Sequence, residues 1–97
     1  FFMKKNSVLN KRTIVGQDNS INLDYSLILT DRKEFDLFHE SEVYSILILQ
    51  IENGITTQYD FLYDISRDEN NAVAILDTLV YNNVMPSNAR DVLADIL

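Results

Sequence analysis

The chain has 97 residues, 46% of them hydrophobic, with no cysteine and a formal net charge of −7. A length of this order makes a single domain that buries roughly two thirds of its unfolded surface in one core. The lack of cysteine excludes disulfide scaffolds, thiolate nucleophiles and zinc ribbons, and it suits a reducing cytoplasm.

Charge is unevenly placed. Residues 1–33 carry six Lys or Arg against three Asp, whereas residues 34–97 carry two Arg against twelve Asp or Glu. Phosphate binding needs local positive potential, so this balance argues against a nucleic-acid binder. No apolar run reaches the roughly 18 residues of a membrane span. The longest uncharged apolar stretch, residues 43–51, is interrupted by Ser45 and Gln50. Asn and Ile occur ten times each, against two Gly and one Pro, a bias of AT-rich coding sequence.

Phe1 and Phe2 ahead of Met3 read as a tag remnant, with residues 1–6 a tail and residues 1–97 one domain. Residues 7–15 read as a strand. Gln17-Asp18-Asn19-Ser20 supplies the following turn, and centring it on Asp18 and Asn19 pairs Val15 with Asn22 and Ile14 with Leu23. Residues 21–29 alternate strictly, which predicts a buried face of Ile21, Leu23, Tyr25, Leu27 and Leu29. Residues 31–42 are too charged for a central strand. Phe35, Leu37 and Phe38 are expected to pin this connection, which leaves room for a helical turn or a strand extension.

Asn53-Gly54 between two apolar runs is the strongest hairpin signal, because a type I′ turn needs positive φ at both central residues. A regular pairing from that turn sets Glu52 against Ile55, Ile48 against Tyr59, Ile46 against Phe61 and Tyr44 against Tyr63, making one aromatic and branched face that should be core. The opposite face then carries Leu47, Leu49, Ile51 and Leu62 among polar residues. A shift of one residue in this pairing would exchange inside and outside.

Ser66-Arg67-Asp68-Glu69 fits a capping box for a helix over about residues 68–81, with Val73, Leu76, Leu79, Val80 and Val84 as its apolar stripe. Asn82-Asn83 offers a left-handed exit, and Pro86-Ser87 starts a short closing helix with Ala89, Val92, Leu93, Ile96 and Leu97 on its apolar face. The expected fold class is α+β, a four-stranded antiparallel β-meander followed by a C-terminal αα hairpin packed on one sheet face.

The segment YDISRDENNAVAILDTLVYNNVMPSNARDVLADIL resembles the carboxy-terminal pattern of a small uncharacterised family of clostridia-like Firmicutes proteins. In that pattern a strand ending in Asp-Ile-Ser leads into a helix, a proline and a helix with aspartates near the chain end. The resemblance covers the last third of the chain. It implies a cytoplasmic bacterial accessory protein and carries no catalytic residue.

Chemistry-bearing groups are few. His39 lies among Asp36, Glu40 and Glu42, which suits a solvated acidic loop better than a cation site, since a site needs convergent ligands and an orienting shell. Asp60 and Asp64 share a predicted face and are the one acid–base pair to consider. There is no nucleophile elbow, phosphate loop or dinucleotide fingerprint. Tyr59 and Tyr63 read as core rather than as a base-stacking platform, and Lys4, Lys5, Lys11 and Arg12 as a solvated edge.

These observations favour a non-enzymatic protein–protein interaction module without cofactor or metal. Its expected contact surface is Leu47, Leu49, Ile51 and Leu62, meeting a second copy, through the sheet face or an edge strand, or another protein. No nucleic acid or membrane is expected as a partner. The alternative is an acidic mimic of a phosphate backbone that occupies a DNA-binding protein or transcription factor. A metal-dependent enzyme ranks below both.

Overall fold

The computed structural model describes residues 5–33 and 40–97. Four strands, β1 (Lys5–Val15), β2 (Ile21–Lys33), β3 (Glu40–Glu52) and β4 (Ile55–Ser66), form an antiparallel sheet in the order β1-β2-β3-β4. They are followed by α1 (Glu69–Tyr81), a 3-10 turn at Pro86–Asn88 and α2 (Ala89–Ile96), which pack on one sheet face. The expected α+β meander with C-terminal helices is the fold of this chain.

Local chemistry accounts for most connections. Asn53 and Gly54 take φ values of 55° and 78°, as a type I′ turn requires. A Cβ on Gly54 would meet nothing within 4 Å, so glycine is needed there for its backbone angle and not for space. The first hairpin departs from expectation by one residue: Val15 pairs with Ile21 and Ile14 with Asn22. Its loop begins at Gly16, whose φ of 99° an L side chain rarely adopts, and Asn19, at φ 57°, donates its amide to the Gly16 carbonyl at 3.2 Å. β2 and β3 extend beyond the expected strand ends, with Asp31 opposite Glu42 and Lys33 opposite Glu40. Phe35, Asp36, Leu37, Phe38 and His39 lie outside the described residues.

The helix start also differs. Asp68, not Ser66, is the N-cap of α1, its carboxylate accepting the Asn71 amide at 2.8 Å. Ser66 Oγ instead accepts from the Asp68 amide and from Asn71 Nδ2, both at 3.0 Å, closing the turn between β4 and α1. At the other end the Val84 amide reaches the Leu79 carbonyl at 3.0 Å and the Asn83 amide reaches Val80 at 3.1 Å, with Asn83 at φ 50°. This is the two-bond left-handed exit, joined by the apolar contact it usually carries, since Val84 and Leu79 are both buried.

The core lies between the sheet and the helices. Leu23, Tyr25 and Leu27 of β2, Ile46 and Ile48 of β3, and Leu62 and Ile65 of β4 meet Ala72, Ile75, Leu76 and Leu79 of α1, with Val84 and Ala89 closing the end. The odd face of β2 is buried as its alternation predicts. Val92 and Leu93 of α2 pack against this core partly exposed, whereas Ile96 and Leu97 point largely to solvent. Arg90 fixes α2 to β4, donating to Asp60 Oδ1 at 2.9 Å and to the Phe61 carbonyl at 3.2 Å. Lys11 pairs with Asp77, tying α1 to β1.

Candidate interaction surface

The sheet face turned away from the helices takes its character from an irregularity in β4. Glu52 pairs with Ile55 and Ile51 with Thr56, but Gln50 then pairs with Gln58, Leu49 with Tyr59, Ile48 with Asp60, Leu47 with Phe61 and Ile46 with Leu62. Thr57 is the extra residue of a β-bulge, and its hydroxyl lies 2.7 Å from Glu52 Oε2 and 3.3 Å from the Gln50 carbonyl. One added residue sends every later side chain of β4 to the other side of the sheet.

Tyr59, Phe61 and Tyr63, expected in the core, therefore stand on the outer face. Leu62, expected on the contact surface, is 1% exposed in the core, opposite Ile46. Leu47, Leu49 and Ile51 are on the outer face as expected, each half-buried by its neighbours.

A second irregularity follows at once. Ile46 pairs with Leu62 and Tyr44 with Ser66, so Ser45 alone stands opposite residues 63–65. Asp64 takes φ 56° in this bulge, and its amide donates to the fully buried Ser45 Oγ at 2.9 Å. The kink keeps Tyr63 beside Phe61, their ring centroids 6.1 Å apart in a tilted arrangement. It also returns Ile65 to the core. Leu62 and Ile65, three apart and both buried, cannot share one side of a regular strand; that spacing is the trace of the bulge in the sequence.

Three cross-strand rows make up the open part of this face: Ile14, Asn22, Ile51 and Thr56; then Arg12, Asp24, Leu49 and Tyr59; then Asn10, Ser26, Leu47 and Phe61. The half built by β3 and β4 is apolar and aromatic, with Tyr59 70% and Tyr63 42% exposed. The half built by β1 and β2 is polar but closed on itself. Asp24 is nearly buried and accepts from Asn10 Nδ2 and from Arg12 Nε at 3.1 Å, while Asn10 also reaches Ser26 Oγ at 2.9 Å. A shallow depression on this half is lined by Arg12, Asn22, Asp24 and Ile51. Beyond these rows, Ile28, Thr30, Val43 and Ser45 are already buried within the chain.

The groups considered for chemistry are separated by the same bulges. Asp60 faces the helices and is matched by Arg90, while Asp64 sits in the kink. Among the described residues no three His, Asp or Glu converge as metal ligands would. Among them, too, no helix is long and apolar enough to cross a membrane.

A sequence model of a family of unknown function, DUF6514, matches residues 4–97. The chain belongs to that family. The DUF6514 match takes in the strands as well as the C-terminal third, and it is consistent with membership of an uncharacterised family. No curated protein and no solved structure matches the chain.

Proposed function

We propose that this DUF6514 protein is a non-enzymatic protein–protein interaction module, a small regulatory or accessory protein of the bacterial cytoplasm in clostridia-like Firmicutes. It docks through the outer sheet face at Leu47, Leu49 and Ile51, with Tyr59, Phe61 and Tyr63 completing the surface. The observation that carries the reading is the bulge at Thr57, which adds aromatic side chains to an aliphatic strip that the helices leave open. Contiguous apolar patches of this kind mark association, and partly exposed tyrosines are favoured at such contacts.

Site-specific photocrosslinking tests the reading. Benzoylphenylalanine placed at Tyr59 should give a defined protein adduct in cells that make the protein, whereas the same group at Asp91, on the exposed side of α2, should give none. Equal labelling from both positions, or none from Tyr59, would refute it. The alternative of phosphate-backbone mimicry draws on the −7 charge and requires binding that falls steeply with salt, which an apolar contact does not.

A further inference from the structure

We infer that the occupant of this face is a second copy of the same chain, packed sheet to sheet about a twofold axis; the inference rests on the interaction-module reading and specifies its partner. In a twofold contact each patch meets itself, so an unpaired charge is brought close to its own copy. With 15 acidic against 8 basic side chains, such a surface is scarce on this protein. The three open rows supply one. Their ionisable side chains other than tyrosine are Arg12 and Asp24, and these are paired with each other at 3.1 Å. A surface built for a basic partner would instead present carboxylates to it.

The remaining chemistry is also self-complementary. Leucine, isoleucine and tyrosine can interdigitate with the same residues of a copy at the ~10 Å spacing of packed sheets. Asn10, Asp24 and Ser26 satisfy one another within each chain and need nothing from across the contact. Four strands at ~4.8 Å spacing, open over about half their length, give a projected footprint on the order of 400 Å². That is below the ~800 Å² per partner of a stable complex, so the pair is a weak, reversible one.

Light scattering on a sizing column and sedimentation of the full chain, from about 1 to about 500 μM, test the inference. The mass should rise from one chain to two with concentration and should not fall as salt is raised. Tyr59→Asp and Ile14→Asp alter exposed side chains of this face and should preserve the circular dichroism spectrum and Tm while weakening association about tenfold or more. A single-chain mass at every concentration, or a dimer that neither substitution weakens, overturns the second-copy inference. The Tyr59 crosslink separates this failure from that of the module itself. An adduct of twice the chain mass supports a second copy, an adduct of another mass overturns it while the module reading stands, and no adduct overturns both.

Discussion

The Tyr25 hydroxyl donates to the Val84 carbonyl at 2.8 Å, joining the middle of β2 to the exit of α1 across 59 residues of chain. Both residues are buried, so the bond replaces solvent for a carbonyl that the helix cannot satisfy. Tyr25→Phe keeps the ring packing but strands that carbonyl, and should cost about 1–3 kcal/mol in urea unfolding. Burial also pushes the Tyr25 hydroxyl above its ordinary value of 10.0. With the folded pKa raised, the neutral form is favoured in the native state, and that contribution is present below about pH 10 and lost as pH climbs through the folded value. Stability should therefore decline in the alkaline range, less steeply in Tyr25→Phe. Tyr44, also raised by burial and then by Glu69, Glu42 and Asp68, should leave a residual slope.

The lower bulge of β4 rests on two features that can be removed separately. Ser45→Ala leaves the Asp64 amide without its acceptor and should destabilise by about 1–3 kcal/mol. Asp64→Val sets a β-branched side chain at φ 56° and should cost about 1–2 kcal/mol, whereas Asp64→Gly, free of that penalty, should cost less. Thermal unfolding of the three variants ranks them; equal losses for Val and Gly would show that the backbone angle is not what matters.

Asp68→Ala should lower stability by about 1 kcal/mol, because it removes the acceptor for the Asn71 amide at the first turn of α1. Amide exchange should quicken at Asn71 in this variant and stay unchanged near Leu79.

Arg90 binds α2 to the strand beneath it through both a carboxylate and a main-chain carbonyl. Arg90→Ala should cost up to about 1 kcal/mol, since the guanidinium is mostly exposed. The difference from the parent protein should narrow at high salt, and limited proteolysis should cut first within α2.

What was legible and what was not divides at Thr57. The turn at Asn53-Gly54, the buried odd face of β2, the left-handed exit at Asn83 and the proline start of the final helical segment follow from local rules, because the residues that decide them are adjacent in sequence. The side on which Tyr59 and Phe61 lie depends on whether the strand carries an extra residue, and the choice is made by packing under the helices. There Leu62 and Ile65 fit against α1, and Asp60 finds Arg90 from a helix 30 residues away. Alternation alone matched two registers equally well, and tyrosine favoured the wrong one. The N-cap was missed for a smaller reason: Ser66 and Asp68 are both good caps, and Ser66 is still paired in the strand ladder with Tyr44.

Irregularity in the two outermost strands has a further effect. β1 carries a register break between Ser7 and Leu9, and β4 carries breaks at Thr57 and at Asp64, so neither lateral border of the described sheet offers an unbroken row of amides and carbonyls to an incoming strand. Lateral growth, in which each added molecule creates a fresh template for the next, would have to bridge these breaks, and the longest regular edge left to it is Leu9 to Val15 of β1. The proposed twofold stacking on the broad side would consume the surface that drives it, and so would end at two molecules instead of running on into fibres.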